Sequence, residues 1–209
     1  GKFLIERGAA VNIANKGGCA PLYLATDNRN LEGGDYPTRT PDMDDLEYIT
    51  LLLDAGADPN AQLIESTETR TVFTNQWLDE EGATAFLRAS QSGDVELMRL
   101  LLERGADPKI NTKLGVTPLA AAAGIGWVEG VTNEHSPEQT VEAVKLLIEL
   151  GLDPNYQAET GRTALHGAAH KRATEVVRVL VAAGARTDIR DFDNAFLKAH
   201  VELLNVSEL

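Results

Sequence analysis

The chain has 209 residues, with 32 acidic and 19 basic side chains, so its formal net charge at pH 7 is −13. This balance argues against nucleic-acid binding, which needs a basic stripe of Lys and Arg side chains. Cys19 is the one cysteine, so a disulfide framework is excluded, and we expect it to be a small buried residue. The sequence has no apolar run long enough to span a membrane, and membrane insertion is therefore not expected.

The first pattern along the chain is an apolar run that ends in Gly followed by a small or acidic residue. It occurs five times, and the runs close at Gly8, Gly56, Gly105, Gly151 and Gly184. A glycine after an apolar run is typical of a helix that ends in a left-handed residue. A self-similar unit of this size indicates a stacked solenoid, whose usual work is to hold a partner along one face.

A second pattern alternates with the first and marks helix starts. It reads Gly18-Cys19-Ala20-Pro21-Leu22, and it returns in sequences that begin at Gly82, Gly115 and Gly161. Thr84, Thr117 and Thr163 are suitable N-cap residues, and Pro21 and Pro118 suit the first turn of a helix. Each unit is therefore predicted to contain a pair of helices.

Together the two patterns resemble the ankyrin repeat, with its Thr-Pro-Leu-His helix start and its Gly-Ala-Asp helix end. The resemblance covers nearly the whole chain and implies an all-α solenoid of stacked helix pairs joined by hairpin-like fingers. It also implies that His166, which stands in the histidine position of the phrase, bonds the helix-start Thr163. The resemblance further implies a protein or peptide partner and no cofactor.

In chain order the sequence divides into a truncated repeat, four full repeats and a cap, within a single domain. The predicted boundaries are 1–17 for the second half of a truncated repeat, 18–60 for a repeat with an inserted loop at 27–44, 61–81 for an enlarged finger, 82–114 for a repeat, 115–160 for a repeat with an inserted loop at 125–136, 161–193 for a repeat and 194–209 for a degenerate C-terminal cap.

The insertions are found from the repeat spacing. The helix-start residue lies 21 positions before the closing Gly in the repeats of Thr84 and Thr163, but 36 positions from Ala20 to Gly56 and 34 from Thr117 to Gly151. In the usual arrangement of such repeats, the turns line one edge of the concave face and the fingers line the other. Because the long loops flank the short-turned second repeat, we expect a groove that is walled on both sides around the middle of the stack.

Large aromatic residues occur in or beside the inserted segments, where the repeat core does not need them. These residues are Tyr36, Phe73, Trp77 and Trp127. They either pin each loop onto the helices or act as contact residues for a partner, since Trp and Tyr are favoured at binding hot spots. Both interpretations remain open on the sequence alone.

Two further side chains are candidates for binding. Arg88 stands four residues after the helix-start Thr, where other repeats have Leu24, Ala121 and Gly167. It either anchors a carboxylate or phosphate of a ligand or pairs with a neighbouring carboxylate. The small residues at the equivalent positions leave room for the loop that carries Trp127. His170 lies near a helix end and either faces the groove or is satisfied locally.

Three functions follow from these features, and the first is the leading one. The chain is expected to be a non-catalytic module that holds a protein or peptide in the groove through Arg88, the aromatic residues, His170 and Glu129. The second possibility is a small molecule or glycan in a loop-closed pocket. The third is a hydrolase site that uses Glu129, Glu134 or His170, but the spacing of the two glutamates does not distinguish them from a polar loop. No metal site is predicted, because the carboxylates at 42–45 match only part of a calcium loop.

The sequence around Trp127, which follows an Ala-rich helix, is similar to ankyrin-type proteins of environmental bacteria, some of which carry secretion signals. This similarity favours a bacterial, soluble protein that is either cytoplasmic or exported. The chain begins inside the second helix of a repeat, so we expect it to be a fragment of a longer protein.

Overall fold

The computed structural model describes residues 1–30, 43–65, 78–128 and 135–192, and these residues form an all-α stack. The described helices, numbered α1 to α9, are Lys2–Ile5, Pro21–Arg29, Asp45–Asp54, Ala85–Ser92, Val95–Glu103, Pro118–Ala123, Pro137–Glu149, Ala164–His170 and Thr174–Ala182. The predicted fold class is therefore confirmed. No helix in this part of the chain is long and apolar enough to cross a membrane.

The helices begin where the capping residues predict. Thr84 and Thr117 each accept a hydrogen bond from the backbone N–H three residues on, and Pro118 stands in the first turn of α6. Ser136 caps α7 in the same way, and Asp44 accepts hydrogen bonds from two backbone N–H groups of α3. These side chains satisfy donors that have no partner inside the helix.

His166 caps the start of α8 together with Thr163, as the resemblance implied. The backbone N–H of Thr163 donates to His166 Nδ1 at 3.0 Å. This ring nitrogen therefore acts as an acceptor, which fits a neutral imidazole. Burial lowers the pKa of His166, because desolvation disfavours the charged ring.

The helices stack in two rows. The first helices of the pairs, α2, α4, α6 and α8, contact one another in chain order and form what we call the inner row. The second helices α3, α5, α7 and α9 each pack on the first helix of their own pair. The core lies between the rows and is built from fully buried side chains of both rows, including Leu22, Leu52, Phe86, Leu97, Leu101, Leu119, Leu147, Leu165 and Leu180. Cys19 is also buried, as predicted.

Asparagine side chains clasp neighbouring units on the finger side. Asn60 donates from its amide to the Gly105 carbonyl and accepts a hydrogen bond from the backbone N–H of Asp107. Asn12 and Asn155 make the same two bonds to the units that follow them. This repeated pair of hydrogen bonds fixes the register of each unit on the next along the finger side of the stack.

Candidate binding surface at the loop edge

The edge where the first helices end carries the unusual chemistry of this chain. We call it the loop edge and define it by its residues, 27–30, 92–94, 124–128, 135–136 and 170–173. Two of the predicted insertions, 27–44 and 125–136, leave the stack here. The side chains along this edge are arranged differently in each repeat.

Arg88 is buried against the loop edge and is only 3% exposed. Its Nε donates to Asp27 Oδ1 at 2.8 Å, and its two terminal nitrogens donate to Ser92 Oγ at 2.6 Å and to the Asn30 carbonyl at 2.8 Å. The guanidinium therefore faces protein groups from repeats one and two. This geometry supports the structural alternative that the sequence left open, in which Arg88 pairs with a neighbouring carboxylate.

Asp94 is the centre of a second buried ionic contact. Its carboxylate caps α5 by accepting a hydrogen bond from the Leu97 N–H, and it pairs with Arg29 Nε at 2.7 Å. Arg29 also reaches Glu96, and the amide of Asn30 donates to Asp94 Oδ2 at 3.3 Å. Since the Asp94 side chain is only 2% exposed, the pair is held in a low-dielectric environment where a missing partner would be costly.

His135 joins this cluster from the third repeat. Its Nε2 lies 3.1 Å from Asn30 Oδ1 and 3.6 Å from Asp94 Oδ2, and its backbone N–H donates to the Ser92 carbonyl. Asn30 is the last described residue before 31–42, and His135 is the first described residue after 129–134. The near ends of two inserted segments therefore meet over the short turn of repeat two.

The enlarged finger also reaches the loop edge. Leu78, the first described residue after 66–77, is buried and packs directly on Gly126. A Cβ added to Gly126 would lie 2.6 Å from Leu78 Cβ and 3.0 Å from its Cα, so a larger residue does not fit here. An end of each of the three insertions thus takes part in a contact with an end of another.

Two of the predicted binding residues, Trp127 and His170, are in contact. Their ring centroids are 6.3 Å apart in an edge-to-face arrangement with an interplanar angle of 76°. Gly167 allows this approach, because a Cβ at that position would lie 2.6 Å from the Ile125 backbone nitrogen. The prediction that a small residue there leaves room for the Trp127 loop is confirmed.

A pocket of about 830 Å³ opens beside Trp127, between α7 and the start of α9. Its walls contain the indole of Trp127, apolar parts of α7 and α9, and the turn at 171–173. Lys171 is partly buried there, and desolvation lowers the pKa of its ammonium group to about 8. This combination of an aromatic wall and a partly desolvated amine is typical of a ligand pocket.

The other predicted site residues fall outside the described part of the chain. They are Tyr36, Phe73, Trp77 and Glu129, together with the Glu134 of the hydrolase hypothesis and the proposed cap at 194–209. Among the described residues there is no group of three His, Cys, Asp or Glu side chains able to hold a metal ion.

Sequence reasoning missed His135, Asn30 and Lys171. His135 directly precedes the Ser136 cap, which was predicted. Asn30 is the C-cap of α2, and this helix continues to Arg29, three residues into the segment predicted as the inserted loop 27–44. The signal that was available for Lys171 is its position three residues before the first residue of α9, in the turn that corresponds to the Ser92–Asp94 segment of repeat two. The contact between His135 and Asn30 could not be identified from the local sequence.

Comparison with known proteins agrees with this architecture. The family model described as ankyrin repeats (3 copies) matches residues 86–192, just over half of the chain. Among curated proteins, none matches this chain.

Proposed function

This chain belongs to the ankyrin repeat family, whose repeats generally mediate protein–protein binding, and from that premise we propose that it is a non-catalytic binding module. It holds a protein or peptide along the inner row, beneath the segments inserted at 27–44, 61–81 and 125–136. The partner lies across repeat two, where the short turn leaves the space between the long loops.

The observation that carries this proposal is the meeting of the insertion ends. Asn30 and His135 are 105 positions apart in sequence, yet their side chains are 3.1 Å apart above repeat two. Leu78 and Gly126 make the second such contact. These contacts between the described ends favour one shared binding surface over three independent ones.

The buried ionic contacts below these ends support a preorganised surface. Arg88 and Asp94 each connect repeat one to repeat two, and His135 adds repeat three. A surface that is already ordered loses less conformational freedom on binding, so more of the interaction energy appears as affinity. We assign Arg88 and Asp94 a positioning role, because both side chains are buried in the free protein.

The pocket beside Trp127 favours a second candidate, the binding of a small ligand. It lies between second helices and the turn at 171–173, so it is a different surface from the inner row.

A peptide-display selection against the folded chain tests the main proposal. The affinity of a selected peptide is measured by fluorescence anisotropy for the whole chain and for a variant in which 66–77 is replaced by a short Gly-Ser linker. We expect the affinity to fall about tenfold or more, equivalent to losing ~1.4 kcal/mol of binding free energy. A variant with the residues of 66–77 shuffled separates side-chain contacts from the presence of the segment.

Two point variants keep the test independent of folding defects. His135→Ala removes the link to Asn30 without shortening the chain and is expected to weaken peptide binding. Arg104→Ala changes an arginine just after α5 that pairs with Asp54 far from the inner row, and is expected to leave it unchanged. Peptides that protect only α3, α5, α7 and α9 from amide exchange, and that ignore all three insertions, would contradict the proposal.

A further inference from the structure

The connection between the third and fourth fingers differs from the other connections of the stack. The described residues belong to five fingers, which we number in chain order: 9–18, 57–82, 106–115, 152–161 and 185–192. Asn12, Asn60 and Asn155 each clasp the following finger through two hydrogen bonds, and they belong to fingers one, two and four. Lys109 occupies the equivalent position in finger three, four residues after the closing Gly.

A lysine cannot replace the asparagine clasp. In each clasp the Asn amide donates to the carbonyl of the next closing Gly, and its oxygen accepts from the N–H two residues later. The ammonium group of Lys109 has donors and no acceptor, so it cannot take the hydrogen of the Asp153 N–H. Among the described residues, neither that N–H nor the Gly151 carbonyl has a hydrogen-bond partner. Fingers three and four therefore lack the two bonds that hold the other neighbouring fingers together.

The packing of equivalent glycines gives an independent measure of the same difference. A Cβ added to Gly18, Gly82 or Gly161 would lie 2.5, 2.9 or 3.1 Å from a backbone atom of the next finger. At Gly115 the nearest atom is the Cα of Ala158, and its distance would be 3.5 Å, an ordinary van der Waals contact. The third and fourth fingers thus approach each other less closely than the other neighbouring pairs.

The loop edge of the same two repeats is held more firmly. The backbone N–H of His135 in repeat three donates to the Ser92 carbonyl of repeat two, and the His135 ring contacts Asn30 of repeat one. On the finger side, the hydrogen bond given for fingers three and four within the described residues runs from the Glu159 N–H to the Leu114 carbonyl. One edge of the junction is therefore fixed by several contacts while the opposite edge is loosely joined.

From this asymmetry we propose that repeats two and three form a hinge, which opens between the third and fourth fingers while the loop edge stays closed. In a repeat array each unit contacts only its neighbours, so stability is approximately a sum over units and junctions. Opening therefore costs least at the junction that lacks its clasp. Rotation there changes the curvature of the inner row, and this consequence for a partner rests on the proposed function, whereas the hinge itself does not.

Amide exchange of the free protein tests the missing clasp. We expect the protection factor of the Asp153 N–H to be about tenfold lower than those of the clasped N–H groups of Asp58, Asp107 and Arg186, the factor that one hydrogen bond of ordinary net strength supplies. Lys109→Asn should supply both bonds and raise the protection of Asp153 to the level of the other three. Equal protection of all four groups in the wild type overturns the proposal.

Electron paramagnetic resonance measures the motion itself. Spin labels at Ala55→Cys and Ala182→Cys, two exposed positions at the ends of α3 and α9, report the distance across the hinge. The buried Cys19 stays in place, and the parent chain is the labelling control. We expect Lys109→Asn to narrow the distance distribution and Lys109→Met, which removes the charge without supplying a clasp, to leave it unchanged. Equal widths in these two variants overturn the hinge.

The reciprocal change checks that the clasp controls the motion. Asn155→Lys removes the clasp between the fourth and fifth fingers, so it should widen the same distance distribution and lower the protection of the Arg186 N–H about tenfold. Both variants change a side chain at the protein surface, and circular dichroism should show an unchanged helix content. Loss of Arg186 protection without a wider distribution would contradict the proposal that these clasps limit opening of the stack.

The peptide from the display selection separates the hinge from its use in binding. A partner that spans repeats one to three must order the hinge, so Lys109→Asn should bind the peptide up to about tenfold more tightly than Lys109→Met. Equal or weaker binding overturns the role of the hinge in recognition. Absence of peptide binding in every variant contradicts the proposed function and not the hinge, because the exchange and distance measurements use the free protein.

Discussion

Repeats two and four have the same spacing from helix-start Thr to closing Gly, yet their loop-edge residues serve opposite purposes. Gln91, Ser92 and Asp94 of repeat two are buried. The equivalent positions of repeat four hold His170, Lys171 and Ala173, which are exposed or only partly buried. The backbone is the same at both turns, as the matching angles at Asp94 and Ala173 show.

The difference shows that the repeat scaffold fixes the backbone while the side chains at a few turn positions decide the use of the surface. In repeat two Asp94 forms an ion pair with Arg29 of repeat one, and Ser92 accepts a hydrogen bond from Arg88 of its own repeat. In repeat four they border a pocket whose walls contain the Trp127 indole, apolar side chains, and both cations and carboxylates. Substitutions that exchange or remove the residues responsible for this difference should change the free energy of unfolding, and the largest change is expected at Asp94.

Asp94→Ala is expected to destabilise the protein most, by roughly 3–5 kcal/mol. The change leaves Arg29, which is only 15% exposed, without its closest carboxylate, and it removes the N-cap of α5. Urea unfolding followed by circular dichroism measures the loss. Asp94→Asn keeps a capping oxygen but not the charge, so it should lie between the wild type and Asp94→Ala.

The matched control for this prediction is Asp54→Ala. Asp54 pairs with Arg104 at 2.6 Å, but its side chain is 60% exposed. An exposed pair contributes at most about 1 kcal/mol. Equal losses for Asp94→Ala and Asp54→Ala would mean that burial does not distinguish the two contacts, and the closed turn of repeat two would not be held by charge.

Gly167→Ala tests another difference between the two repeats. Gly167 of repeat four occupies the position that Arg88 has in repeat two. In an ordinary helix the change from Gly to Ala stabilises by about 1 kcal/mol. Here the new Cβ would lie 2.6 Å from the Ile125 nitrogen and 2.8 Å from the Gly124 carbonyl carbon, both backbone atoms. We expect a net loss of about 1–3 kcal/mol, because the Trp127 loop must shift.

Gly17→Ala controls for the substitution itself. Its Cβ would meet nothing closer than 3.5 Å, so the free energy of unfolding should change by no more than about 0.5 kcal/mol. A Gly167→Ala variant as stable as the wild type, with the contact between Trp127 and His170 intact, would show that the loop adapts freely.

These residues also show what the sequence could predict. Helix starts at Thr84, Thr117 and Ser136 follow from a local rule, because an N-cap acts within three residues. The room at Gly167 was predictable because repeats allow equivalent positions to be compared. The link between Asn30 and His135 was not, since it joins two non-repeated segments that no periodicity relates.

The candidate site was less predictable than the fold for the same reason. Trp127 and His170 were singled out as unusual residues, but Lys171 has an ordinary sequence context. Its lowered pKa results from burial of the ammonium group, which depends on packing between repeats. Arg88 was singled out as unusual, but its contacts with Asp27, Ser92 and Asn30 depend on packing between repeats one and two.

Gln91→Leu is expected to stabilise the protein by about 1–2 kcal/mol. Gln91 is 3% exposed, and neither the oxygen nor the nitrogen of its amide has a hydrogen-bond partner among the described residues. A buried amide without a partner loses its hydration and gains nothing in exchange, whereas leucine of similar volume avoids this cost. Gln157→Leu is the control, because the Gln157 amide donates to the Gly161 carbonyl at 2.9 Å and its removal should not stabilise.

Arg172→Gly should have the smallest effect, a gain of at most about 1 kcal/mol. Arg172 has φ 58°, a left-handed conformation, and repeat two has Gly93 with φ 68° at the same position. Glycine adopts this conformation without strain, although its more flexible unfolded chain offsets part of the gain. Urea unfolding followed by circular dichroism measures the gain, and an Arg172→Gly variant that is less stable than the wild type would show that contacts of the arginine side chain outweigh its left-handed backbone conformation.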